Sequence, residues 1–307
     1  MQTPSLCSLQ RAVSDRAPLL RVSIDLDYPN RPRTLDRVEI RLDEGETLGL
    51  IGESGSGKSS LGLAILRLLG RQSAKIRGFI EFEGQDLLRA SEREMRGIRG
   101  RRIGLVLQSP LASLNPVLRI GAQLAEAWTA HRKSSRAQTR DRIARVMEMV
   151  CLPSTDEFLS RYPRQLSVGL AQRVLIGMAI LHDPKLLIAD EPTSALDVIT
   201  AKGILELFGR LNRELNMAIL FISHDLLSVA SLCRRVAIMK NGTIVECAET
   251  GNIFGSPEHD YTRKLVSALP RMPVELQEAH SAIPVENHNG TAGNIEEIRT
   301  EAAYNAD

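Results

Sequence analysis

Gly52-Glu53-Ser54-Gly55-Ser56-Gly57-Lys58-Ser59 is the stretch on which the reading of this chain turns. It fits G-x-x-x-x-G-K-[ST], and it lies where that pattern has a mechanism. Upstream, Thr47 to Ile51 (TLGLI) is a short apolar run that reads as a buried strand; downstream, Ser60 to Leu69 is apolar, unbroken by proline, and reads as a helix. Strand, glycine loop and helix in that order predict an α/β unit. The glycines let backbone N–H groups converge on phosphate oxygens, and the helix N-terminus adds positive potential. Lys58 is placed to neutralise terminal phosphate charge, and the Ser59 hydroxyl, next to Ser60, to coordinate Mg2+. A glycine-rich turn that binds nothing is the bland alternative; the flanking strand and helix disfavour it.

Outward from the loop, Leu20 to Asp27 alternates apolar and polar as a half-buried strand, and Val38 to Leu42 does the same. Phe79 to Glu83 and Ile103 to Gln108 read as further strands, the second following arginines 93, 96, 99, 101 and 102, which read as a solvated face. From about Pro110 to Asp183 the period becomes helical, most clearly at Ala122 to His131 and Arg140 to Val150. Strand signals return at Lys185 to Ala189, Ala218 to Ile222 and Val236 to Met239, with a helix at Ile199 to Leu215 and another at Asp260 to Ala268. Leu186 to Glu191 (LLIADE) delivers two acids to a strand's C-terminal edge, where α/β sheets bind ligands. Asp190 is placed to hold Mg2+ and Glu191 to polarise an attacking water. A helix-start acid before Pro192 is the alternative for Glu191.

With the segments that follow, these stretches resemble the ATPase subunits of ABC transporters, and most of all those of peptide and nickel import systems, over roughly Leu20 to Pro270. Tyr28 matches that family's aromatic adenine platform, and Gln108 its Q-loop glutamine, a metal ligand. Leu166-Ser167-Val168-Gly169-Leu170 resembles the signature motif that caps the nucleotide of an opposing subunit; Ser167 and Gly169 keep its polar and small positions, while Val168 replaces glycine. Ser194-Ala195-Leu196-Asp197 resembles the D-loop, and His224 the switch histidine, which positions water with Glu191. Ser223-His224-Asp225 is no hydrolase triad, since adjacent residues do not converge as a triad must. Gln108 to Pro116 and Pro257-Glu258-His259-Asp260-Tyr261-Thr262-Arg263 resemble segments of the peptide-import subfamily.

The resemblance implies an ABC-type P-loop ATPase: a RecA-like core with an antiparallel β subdomain and a helical subdomain at about 110–183, within a domain at 19–270. It implies ATP and Mg2+, permease subunits in the membrane, a second ATPase subunit that is either a related chain or a copy, with a related chain the expected one, and indirectly a solute-binding protein. It implies a peripheral place on the cytoplasmic face of the inner membrane. The cargo stays open among peptides, nickel chelates, opines and sugars. An ABC-type ATPase acting on nucleic acid or ribosomes is the alternative, and it usually carries coiled-coil, zinc or tandem-domain insertions that this sequence does not show. A small-molecule P-loop kinase ranks third.

Composition fits this reading without choosing it. The chain has 307 residues, 43% of them hydrophobic, and a formal charge of +2, which supplies no strong field for nucleic acid. After Pro270 the chain carries seven acids and two arginines, so the tail at −5 is acidic and the body mildly basic; the tail, like residues 1–18, is expected to be flexible. Cys7, Cys151, Cys233 and Cys247 lack ligand spacing and read as ordinary thiols in a reducing compartment. No apolar run reaches the ~18 residues of a membrane span, and the N-terminus lacks the apolar region of a secretory signal.

Overall fold

The computed structural model describes residues 17–70 and 74–269. The acidic tail at 271–307 lies outside these residues, as does nearly all of the N-terminus at 1–18. The chain opens with strands β1 (Leu20–Tyr28), β2 (Arg31–Leu42) and β3 (Thr47–Ile51), then helix α1 (Lys58–Ile65). Strands β4 (Lys75–Phe82) and β5 (Gln85–Asp86), helix α2 (Glu92–Ile98) and strand β6 (Ile103–Val106) follow. Five helices come next: α3 (Pro110–Ser113), α4 (Ile120–Thr129), α5 (Arg136–Met149), α6 (Asp156–Leu159) and α7 (Val168–Ile180). The remainder is β7 (Leu186–Asp190), α8 (Val198–Leu215), β8 (Ala218–Ser223), α9 (Leu226–Leu232), β9 (Arg235–Lys240), β10 (Thr243–Glu249), α10 (Thr250–Gly255) and α11 (Asp260–Ser267).

A six-stranded sheet runs β10-β9-β3-β8-β7-β6, parallel except for β10, and an antiparallel sheet runs β2-β1-β4-β5. The larger sheet is buried on both faces, and its side chains divide with period two between two apolar cores. Leu48, Leu50, Leu186, Ile188, Leu220 and Ile222 meet the antiparallel sheet and α1 in one core. Leu187, Ala189, Ile219, Phe221, Val236 and Ile238 meet α4, α5, α7 and α8 in the other. Burial on both faces is why these strands read as unbroken apolar runs. In all five parallel strands the C-terminal ends lie on one edge, and that edge receives the phosphate loop.

Local chemistry sets the ends of elements. Capping boxes start α2 at Ser91, with Glu94, and α5 at Ser135, with Gln138. Helix α1 begins at Lys58, earlier than the expected Ser60, and ends at Ile65, earlier than Leu69, because Arg67 turns to φ 51° and Leu68 N donates back to Leu63 O. Strand β6 stops at Val106, so Gln108 lies beyond the strand rather than at its end. The arginine stretch departs in part from a solvated face: Arg99 donates to the carbonyls of Leu66 and Arg67 and pairs with Glu92, and Arg102 pairs with Glu83. Arg99 thus binds the end of α1 to the segment before β6, and Arg102 binds that segment to the turn after β4.

Candidate functional site

The phosphate loop spans Gly52 to Gly57 between β3 and α1. A Cβ at Gly52 would come within 2.2 Å of the Met239 carbonyl oxygen, so only glycine fits against the end of β9. Gly57 holds φ 111°, which L side chains rarely adopt, and turns the chain into α1. Gly242 N donates to Ser56 O at 3.0 Å, and Arg31 donates to Gly55 O, so neighbouring turns brace the loop. Lys58 is 6% exposed; its ammonium donates to Gly52 O at 2.8 Å and Glu53 O at 3.0 Å. Burial lowers its pKa from the ordinary lysine value, and the charges of Glu191 and Asp190 oppose that shift. Among the described residues Ser56 Oγ is buried without a hydrogen bond, while Glu53, Ser54 and Gly55 are exposed. Tyr28, at the end of β1, donates its hydroxyl to Ser60 Oγ at 3.3 Å, joining the proposed adenine platform to the first turn of α1.

Strand β7 carries Asp190 to the same edge. Ser59 donates to Asp190 Oδ1 at 3.0 Å, so two of the three expected metal ligands are in contact. Burial raises the Asp190 pKa, against the Ser59 hydrogen bond and the Lys58 charge. Glu191 stands in the left-handed region at φ 51°, pinned by its N–H donating to Ile222 O at 2.9 Å. Such a backbone persists only where its surroundings over-determine it, and it concentrates at functional sites. The Glu191 side chain is 12% exposed, and His224 Nδ1 lies 2.6 Å from its Oε2. An ionised carboxylate only accepts, so Nδ1 carries the proton and Nε2 is left for another partner. The pair is built as a carboxylate oriented by an imidazole, beside a lysine and an acid that can share a phosphate and a metal. Hard oxygen donors suit Mg2+, so Ser59 and Asp190 fit that ion. Gln108 is exposed, and no hydrogen bond ties it to either among the described residues.

The other expected site residues make their hydrogen bonds and contacts locally. Ser167 is the N-cap of α7, accepting from Leu170 N at 3.3 Å, and Gly169 packs on Thr200 at the start of α8. Asp197 caps α8, accepting from Thr200 N at 3.0 Å and Thr200 Oγ1 at 2.7 Å. Those hydrogen bonds hold its carboxyl below the usual carboxylate value. Among the described residues no hydrogen bond links Ser167, Gly169 or Asp197 to the phosphate loop. Sequence reasoning missed Arg31, whose contact with Gly55 no pattern signals, and Asp225, which caps α9 and holds the turn after His224.

Residues 35–194 match the family model described as ABC transporter. The chain is 42% identical over 258 residues to the oligopeptide transport ATP-binding protein OppD of Bacillus subtilis (strain 168), covering 84% of this chain and 72% of that protein. It is 42% identical over 238 residues to the dipeptide transport ATP-binding protein DppD of Escherichia coli (strain K12), covering 78% and 73%. Among solved structures it is similar to the dimeric post-hydrolysis state of the ATP-binding cassette MJ0796 bound to ADP and Pi, with TM-score 0.66, 25% identity and coverage of 75% and 98%.

Proposed function

The chain belongs to the ABC transporter family, and from that premise we propose that it is the ATP-hydrolysing subunit of an importer of peptides or a related small solute. The observation that carries the chemistry is the contact of His224 with Glu191, held beside Lys58 and Asp190 at one sheet edge. Lys58 exchanges its two loop carbonyls for phosphate oxygens. The loop N–H groups and the N-terminus of α1 hold the remaining charge, and the adenine rests on Tyr28. Ser59 and Asp190, with Gln108, would hold Mg2+, which would supply neutralisation of phosphate charge. Glu191 orients the attacking water, and His224 fixes the Glu191 carboxylate and meets the terminal phosphate.

Ser167 and Gly169 face the nucleotide of a second ATPase subunit, a reading supported by the lack, among the described residues, of any hydrogen bond from them to their own phosphate loop. Closure of the pair around ATP drives a conformational change in membrane permease subunits, to which a solute-binding protein brings the cargo. The names of the relatives support peptide cargo and favour transport over action on nucleic acid or ribosomes. No helix among the described residues is long and apolar enough to cross a membrane, which fits a peripheral subunit on the cytoplasmic face of the inner membrane.

The test is hydrolysis by wild type and Glu191→Gln with the permease and ATPase subunits encoded beside it. Turnover should fall by at least ~100-fold, with ATP retained in a trapped dimer. Full turnover by Glu191→Gln sinks the catalytic assignment, and a rate indifferent to the permease sinks the coupling.

A further inference from the structure

Arg31 has no task in the reaction just proposed, yet its guanidinium rests on the phosphate loop. It donates to Gly55 O, and both of its terminal nitrogens would lie 3.7 Å from a Cβ at Gly55. The side chain starts from a fixed point. Arg31 is the cross-strand partner of Tyr28 at the turn between β1 and β2; its carbonyl accepts from Thr34 Oγ1 at 2.8 Å, and Asp27 Oδ1 accepts from Arg33 N at 2.7 Å. Thr34 is buried, and its carbonyl oxygen would meet Cβ atoms at Gly57 and Gly242 at 2.9 and 2.6 Å, so the hairpin is wedged between the loop and the turn after β9. Among the described residues no carboxylate pairs with Arg31.

That contact decides where a loop N–H points. In a trans peptide the carbonyl and the following N–H point in opposite directions. With Gly55 O turned to Arg31, Ser56 N–H points away from it and donates to Glu53 O at 3.1 Å. The same oxygen accepts from Lys58 Nζ at 3.0 Å, so Ser56 N–H faces the side on which the ammonium stands. The next peptide obeys the same rule: Gly242 N donates to Ser56 O at 3.0 Å, which turns Gly57 N–H away from the β9–β10 turn. An anion-binding concavity of backbone N–H groups needs the matching carbonyls held outward. A backbone N–H holds the Ser56 carbonyl, whereas the Gly55 carbonyl depends on one side chain.

We propose that Arg31 is a positioning residue for the phosphate loop: by holding Gly55 O outward, it keeps Ser56 N–H turned to the side that phosphate enters. When Lys58 exchanges Glu53 O for a phosphate oxygen, Ser56 N–H already stands on the side of the exchange. The proposal rests on the loop being the ATP site. Arg31 acts through the Gly55–Ser56 peptide and not by touching the nucleotide, so what it requires is a hydrogen-bond donor at the carbonyl more than a charge at a distance.

Arg31→Ala removes the donor from an exposed side chain and opens no core. In the full chain, equilibrium titration with a fluorescent ATP analogue and Mg2+ should show Kd raised roughly three- to tenfold, the scale of one lost hydrogen bond. KM for ATP should rise in step, with kcat within about twofold and the Tm of the nucleotide-free chain unchanged. Arg31→Lys restores a donor and should bring Kd back to within about twofold of wild type. The loss in Arg31→Ala should persist in about 1 M salt, where charges further apart than about 3 Å are screened. Wild-type affinity in Arg31→Ala overturns the proposal, as does an Arg31→Lys chain that binds as weakly as Arg31→Ala. A loss that disappears in high salt overturns it as well, because charge alone would then be at work. A wild-type chain that binds no ATP overturns the reading of the loop itself, and the wild-type titration separates that failure from the others.

Discussion

At the residue scale, neighbouring positions of the signature-like motif make opposite demands. Val168 is the first residue of α7, behind an N-cap Ser167 with φ −66° and ψ 161°, and it has no positive φ. The β-branched side chain therefore meets no backbone conflict. Val168→Gly should cost up to ~1 kcal/mol of stability and change turnover by less than about twofold. A Cβ at Gly169, by contrast, would lie 2.6 Å from Thr200 Cγ2, and Asp197 holds Thr200 by two hydrogen bonds. Gly169→Ala should cost about 1–3 kcal/mol and slow turnover by displacing the start of α8. Thermal melts and steady-state hydrolysis decide; a silent Gly169→Ala refutes the packing argument. Asp190 supplies a second case. Its carboxyl is raised by burial, so the ionised form opposes folding at neutral pH, and the opposition fades as pH falls through the raised value. Asp190→Asn should raise the Tm of the nucleotide-free chain while abolishing Mg2+-dependent hydrolysis. A lowered Tm would show that the Ser59 and Lys58 contacts outweigh the burial cost.

At the element scale, α4 and the end of α7 meet through rings. Trp128 stacks on His182 with centroids 4.7 Å apart, His131 meets His182 edge-on at 5.1 Å, and Arg132 and Arg142 lie over the Trp128 ring. Burial holds His182 below the usual histidine value, with His131, Arg132 and Arg142 adding to it and the Ala127 carbonyl opposing. The unfolded chain therefore takes up the proton first as pH falls, and stability is lost between the ordinary value near ~6.5 and the lower folded one. His182→Phe keeps a stacked ring and should flatten the stability profile below about pH 6.5; an unchanged slope assigns the titration elsewhere. How much of each element was legible follows from its surroundings. The strands β3, β7 and β8 were readable because burial on both faces leaves unbroken apolar runs. Helix α7 fell inside the stretch read as helical at about 110–183 but was not separated as an element of its own, since eight of its residues are buried and little amphipathic period survives. Helix α2 hid among arginines although its capping box, Ser91 to Glu94, is written in the sequence. The residues of the loop and the acids at the end of β7 could be named from pattern. The partnership of Glu191 with His224 came from the family resemblance alone, because only sheet topology brings the strand ends β7 and β8 side by side.

At the scale of the whole molecule, the proposed composite site divides into two halves among the described residues. One is the phosphate loop with Asp190, Glu191 and His224; the other is the N-terminus of α7, whose Ser167 is exposed and bonds only within its own helix. A composite site follows if a second subunit presents its α7 to this loop. Arginine at position 167 would place bulk and charge in the partner's site and leave its own loop intact. Ser167→Arg should therefore bind ATP like wild type and hydrolyse almost none. Lys58→Ala should fail in the opposite way, with a damaged loop and an intact α7. In an equimolar mixture of the two variants, half of the pairs are mixed, and each mixed pair holds one complete site of two. Turnover should recover to about a quarter of wild type where copies pair. If a related ATPase chain is the partner, the mixture stays silent. In that case each variant, combined with the related chain, should keep one of the two sites. Full hydrolysis by Ser167→Arg in every combination would mean that one chain completes its own site, and the composite mechanism would be lost.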